Sequence, residues 1–249
     1  GASIVAVFAD TAFPKTPLGS AARHGRAVLT ATRDSLPEYV GNGLRCTSCH
    51  LDEGRRPFAM PWLGVSARYP QYRSRSARVV TVEDRVNDCL ERSLAGKSLP
   101  PGDERMRAIE AYFAFISAGT PVGSSTRGQG IDSVHASASD TVAGQSVFGA
   151  RCARCHGADG AGIPPVTPVW GERSFTIGAG MARRLTAAGF IRRNMPFDSA
   201  GVLTDQEALD VAAYITSRPR RDFAGKERDW PKGGAPADVP YRTLGPQGR

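Results

Sequence analysis

Apolar positions recur at helical spacing in several stretches of the chain. Behind Pro101-Gly102-Asp103, the residues Met106, Ile109, Phe113 and Ile116 share one face, which predicts a helix running to Ser117. Thr204-Asp205-Gln206-Glu207 is a capping box and opens a helix through Thr216, while Thr81-Val82-Glu83-Asp84 starts another. Residues 20–36 read as a helix and residues 143–148 as a shorter one. Gly and Ser crowd residues 119–130, which marks a linker, and beyond Arg218 the chain turns rich in Pro and Gly. Trp230 and Tyr241 are expected to pin that tail as an extended strap. No run of about 18 apolar residues occurs, and the stretch Ile4 to Ala9 is too short to span a bilayer. The expectation is an all-α protein of two domains, residues 1–118 and 140–249, joined by a linker over residues 119–139 and ending in an extended tail.

Charge narrows the partners. The formal net charge is +8, but the 32 Lys and Arg are scattered among 24 Asp and Glu without a basic run. That pattern argues against nucleic acid and favours small anions or an acidic redox partner.

Cysteine spacing supplies the chemistry. The motifs Cys46-Thr47-Ser48-Cys49-His50 and Cys152-Ala153-Arg154-Cys155-His156 are two copies of Cys-x-x-Cys-His, of which composition alone predicts roughly 0.002. Two thiols at this spacing add to the two vinyl groups of one porphyrin, and the following imidazole reaches its iron. The chain is thus expected to carry two haem c groups, held by Cys46, Cys49, Cys152 and Cys155, with His50 and His156 as iron ligands. A zinc site would pair two Cys-x-x-Cys units instead, and here each unit carries its own histidine. Haem attachment follows export in bacteria, so a periplasmic location is expected, with the cleaved leader absent from this chain.

Cys89 is then the one cysteine left over. It lies 39 residues beyond His50, and Met195 lies 39 beyond His156, so the odd thiol occupies a ligand position in an internal repeat. Met195-Pro196 resembles the distal-ligand loop of class I cytochromes c, which makes Met195 the second ligand at the second haem. Met60 and Met181 are the rival thioethers, with packing as their ordinary role, and His24 and His135 are expected at the surface. Along the predicted helix Arg85, Cys89 and Ser93 fall at i, i+4 and i+8, and Arg92 at i+7, while Arg73, Arg75 and Arg78 form a basic group upstream. Guanidinium groups favour a thiolate and bind oxyanions, although about half of such arginines only pair with carboxylates or face solvent.

The residues Tyr39-Val40-Gly41-Asn42-Gly43-Leu44, Pro61-Trp62-Leu63-Gly64-Val65, Arg68-Tyr69-Pro70-Gln71-Tyr72-Arg73 and, most specifically, Glu83-Asp84-Arg85-Val86-Asn87-Asp88-Cys89-Leu90-Glu91-Arg92-Ser93 resemble the thiosulfate dehydrogenases. The tail segments Trp230-Pro231-Lys232-Gly233-Gly234 and Asp238-Val239-Pro240-Tyr241 are similar too. The resemblance implies two class I cytochrome c-like domains, an N-terminal haem ligated by His50 and Cys89, and a substrate pocket with Arg75, Arg85, Cys89 and Ser93. It implies oxidative coupling of two thiosulfates to tetrathionate, possible in reverse, with electrons passing to a soluble acceptor such as a small cytochrome c or a high-potential iron-sulfur protein. Some members have a lysine before the distal methionine; Asn194 stands there in this chain, so a lysine ligand switch is not expected. Two other readings are a non-catalytic dihaem electron carrier, which needs no basic pocket, and a sulfur-carrier oxidase subunit.

Overall fold

The computed structural model describes residues 12–246, so the apolar stretch Ile4 to Ala9 lies outside them. Two helix pairs carry two cores. In the first, α1 (Pro17–Thr30) crosses a later helix so closely that a Cβ on Gly25 would lie 1.9 Å from the carbonyl oxygen of Ala108. In the second, Gly144 meets the carbonyl of Asp210 in the same way, at 2.0 Å. Only a residue without a side chain permits such approaches.

The helix expected over residues 20–36 instead breaks at Ala31, which leaves the helical region with ψ of 48° and leads into a short turn, Thr32–Ser35. Thr32 explains the break: its buried hydroxyl donates to Leu29 O and accepts from Cys46 N–H, tying the helix end to the first motif instead of extending it. A hairpin of β1 (Gln71–Arg73) and β2 (Arg78–Val80) follows, an element the all-α reading lacked; Tyr72 pairs with Val79, both strand formers. Next come α2 (Val82–Arg92), capped by the Thr81/Asp84 box, and α3 (Glu104–Ile116), capped by Asp103. The second half holds α4 (Thr141–Arg151), capped by Asp140 and longer than residues 143–148, then α5 (Arg184–Asn194) and α6 (Asp205–Ser217), opened by the Thr204/Glu207 box.

The two halves interlock. Phe175, Ala179 and Ala182 follow the second motif in sequence, yet they pack into the first core with Trp62, Leu90 and Tyr112. Leu51, Ala59 and Phe190 form a bridging cluster against which Met60, Met181 and Met195 pack. The stretch read as a linker is fastened: Phe58 N–H donates to Gly128 O and Met60 N–H to Gly130 O. Among the described residues no helix is long and apolar enough to cross a membrane.

Candidate functional site

Both motif histidines are aimed by the same device. His50 Nδ1 lies 2.6 Å from Met60 O, and His156 Nδ1 lies 3.0 Å from Thr167 O. A carbonyl only accepts, so each Nδ1 must carry the proton, which leaves each Nε2 lone pair free for a metal. Burial pushes the His50 ring down to about 4 and lowers His156, so both are neutral, as ligation requires. Trp62 stacks on His50 at 4.8 Å. Met60, a rival ligand by sequence, instead contributes its carbonyl to His50 and its side chain to packing; Met181 packs against all three clusters, and His24 and His135 are exposed.

Immediately after His50 the chain enters a left-handed turn, with φ of 51°, 56° and 76° at Asp52, Glu53 and Gly54. Each non-glycine residue there costs about 1–2 kcal/mol, so the turn must be held. Arg26 grips Glu53 at 2.8 Å, Arg56 grips Asp52 at 2.8 Å, and the Tyr112 hydroxyl donates to Glu53 O. Gly54 lies so close under Trp62 that a Cβ would sit 1.9 Å from Cε3. No local sequence pattern announced this turn, because two of its holding groups, Arg26 and Tyr112, come from α1 and α3.

Cys89 sits midway along α2 and is half-buried, with Arg85 Nη1 donating to its Sγ at 3.1 Å. Both motif thiols, Cys46 and Cys49, are in electrostatic reach of Cys89, and burial pushes them up to about 12. The charge of a Cys89 thiolate is the main influence raising Arg85, against burial. Beside this pair opens a cavity of about 870 Å³ whose walls include His50, Trp62, Arg85 and Ser93; with His50 in its wall, it is the space that the first haem would share with an anion. Cys89 itself is not in that wall; Arg85 and Ser93, one turn to either side, are. Six arginines line the cavity (Arg68, Arg73, Arg75, Arg85, Arg92 and Arg183) against two aspartates, Asp88 and Asp132. The excess is cationic.

Those arginines have different fates. Arg92 forks onto Asp229, both contacts at 2.8 Å, and Tyr241 donates to the same carboxylate at 2.7 Å, so this arginine is spent on fastening the tail. Arg78 pairs with Asp84 near solvent, and Arg73 is exposed at the hairpin. Arg75 donates to Gly178 O at 2.9 Å and stacks on Trp230, while Asp229 stays 3.8 Å away. Burial holds the Arg75 guanidinium below its ordinary value, which charges on Arg92 and Arg183 reinforce. Trp230 is 4% exposed and donates to Arg75 O at 2.7 Å, so the tail is a strap closing one side of the cavity.

Asn42 knots the site, a role that nothing in its local sequence announces. Its amide donates to Ser93 O and Ser174 O at 2.8 and 2.9 Å and its oxygen accepts from Leu44 N–H, joining the end of α2 to the second half. Asp229 and Arg183 were missed as well. The only available signal was their place beside Trp230 and within Arg183-Arg184.

At the second motif, Met195 is the residue just past α5, with extended backbone (φ −126°, ψ 149°). Pro196 forces this, since the residue before a proline is driven out of the helical region. Met195 packs against the second core, as do Cys152 and Trp170.

The residues fit haem c. Each motif supplies one imidazole whose Nε2 is free and two thiols three residues apart in sequence, the donor set that haem c takes. Buried donors also await an anion: Arg220 Nε and Nη1 and Arg218 Nε find no hydrogen-bond partner among the described residues, and burial holds Arg220 down to about 10. Porphyrin propionates are acceptors of that kind.

Residues 38–122 match the family model "SoxA/TsdA, cytochrome c domain", and residues 139–215 match "Cytochrome C oxidase, cbb3-type, subunit III". A thiosulfate dehydrogenase of Psychrobacter arcticus is 41% identical over 239 residues, covering 92% of this chain and 72% of the relative. That of Allochromatium vinosum is 41% identical over 221 residues, covering 84% and 82%. The solved thiosulfate dehydrogenase TsdBA of Marichromatium purpuratum superposes with a TM-score of 0.79 at 35% identity, over 84% of this chain; the chain spans about half of that structure, 48%. With two cytochrome c domains, two sites for covalently bound haem c and these relatives, the chain belongs to the thiosulfate dehydrogenase family.

Proposed function

We propose that this chain couples two thiosulfate dianions to tetrathionate, with Cys89, Arg75, Arg85 and Ser93 as its reacting site. The outer sulfurs of two thiosulfates join while each anion loses one electron, so four negative charges become two plus two electrons. Near a protein surface two unit charges about 4 Å apart interact with about 4 kcal/mol. Two dianions multiply that fourfold, a barrier that fixed cations must offset. The observation that carries the reading is the 3.1 Å contact to Cys89 from Arg85, itself a lining residue of an arginine-rich cavity. Arg85 donates to Cys89 Sγ and presents its remaining donors to an oxyanion, Arg75 is held by Gly178 O with its fork half free, and Ser93 offers a hydroxyl.

His50 with Cys89 would hold the first haem iron, and His156 with Met195 the second. Bound haem supplies a one-electron acceptor at each site. The bridging packing of Met60, Met181, Phe190 and Met195 keeps the two sites in one apolar body. Electrons then leave to an acceptor, a small cytochrome c or a high-potential iron-sulfur protein, in the periplasm. The working domain division is residues 1–118 for the reacting domain, 119–139 for the connection and 140–249 for the exit domain with its strap. A dihaem electron carrier has no need of six arginines around a cavity. The test is turnover of purified protein with thiosulfate and a dye acceptor, and with tetrathionate and a donor, alongside potentials; no turnover in either direction would leave the electron-carrier reading standing.

A further inference from the structure

The cavity is not built by the first domain alone. Arg183 lines it, together with Gly180, Leu185 and Thr186, all from the stretch after the second motif. Its position is well defined: Met181 packs against all three clusters, Ala182 is 2% exposed in the first core, and α5 begins at the next residue. Arg183 Nε is buried and finds no hydrogen-bond partner among the described residues, and its charge acts on Arg75. The nearby tail carboxylates are committed elsewhere, Asp229 to Arg92 and Tyr241, and Asp238 to Leu185 N–H. A guanidinium stays charged at every physiological pH, so a buried donor of this kind calls for an anion.

The geometry points to Arg183 as the anion-binding residue of a second oxyanion subsite, in which the second domain holds one thiosulfate while Arg75 and Arg85 hold the other. This rests on the reading of the cavity as the thiosulfate site. Coupling needs two dianions side by side. The first domain supplies cations from its part of the lining, and Arg183 supplies one from the second half of the chain.

The test compares Arg183→Gln and Arg183→Lys with Arg184→Gln, an exposed neighbour that removes the same charge. Titration of the holoprotein with thiosulfate, tetrathionate and non-reacting sulfate reads binding, and turnover separates KM from kcat. Arg183→Gln should weaken thiosulfate and sulfate binding about tenfold or more and raise KM by a similar factor, with both haem potentials unchanged in the absence of anion. Arg183→Lys should recover part of the loss, and Arg184→Gln should change binding less than twofold. Unchanged binding in Arg183→Gln overturns the inference, and so does a shifted haem potential with unchanged binding, which would assign Arg183 to a propionate. Wild-type turnover judges the underlying function separately, because sulfate reports on the cavity whether or not thiosulfate is oxidised.

Discussion

Arg85 Nη1 stands 3.1 Å from Cys89 Sγ, one turn back along α2. The contact joins the cation proposed to meet substrate to the sulfur expected at the iron. Cys89→Ala should therefore leave both haems attached and abolish thiosulfate oxidation, and Arg85→Gln should lower kcat/KM about a hundredfold, the usual cost of one lost charge-stabilising donor. Steady-state rates and the ferric absorption spectrum check both; ordinary turnover in Cys89→Ala would refute the assignment.

Met195 follows α5 directly and packs beside Cys152 in the second core. Met195→Gly should lower the midpoint potential of the second haem and slow electron exit, while thiosulfate binding stays unchanged. Potentiometric titration reads this, and an unaltered second potential would remove Met195 from the ligand set.

Asp229 is 4% exposed and takes both arms of Arg92. Removing Asp229 leaves the largely buried Arg92 only the exposed Asp88 at 3.4 Å as an ion-pair partner, a loss of up to about 3 kcal/mol. Asp229→Ala should thus lower the melting temperature by about 6–12 °C, given the usual slope for a chain of this size. It should also loosen the strap, seen as faster proteolysis within residues 218–246. A melting temperature within error of wild type would show that the fork contributes nothing.

Gly25 and Gly144 sit where a Cβ would lie within 2.0 Å of a carbonyl oxygen on the partner helix. Gly25→Ala and Gly144→Ala should each destabilise by about 1–3 kcal/mol through forced separation of the helices. Denaturant titration measures it, and a neutral result at either site would mean that the crossing relaxes freely.

Sequence alone determined the covalent chemistry and its periodicity. Cys-x-x-Cys-His is a local pattern, since its three ligating groups lie within five consecutive residues, and the 39-residue spacing placed Cys89 and Met195 in equivalent positions. Helix starts at Thr81 and Thr204 were equally legible, because a capping box closes within four residues, and Asp103 caps its helix from two residues away.

Tertiary structure decided what each arginine does. Arg75, Arg92 and Arg183 look alike in sequence, yet one stacks on Trp230, one is consumed by Asp229, and one keeps a buried donor for an anion. The left-handed turn at Asp52 and Glu53, the Asn42 knot and the break at Ala31 belong to the same class. Each depends on at least one partner from 14 or more residues away along the chain: Thr32 on Cys46, Glu53 on Arg26, Asn42 on Ser93. Hydrophobic periodicity reports only which face of an element is buried; where a charge ends depends on which carboxylate or carbonyl the folded chain sets before it, and that is fixed only when the two halves interlock.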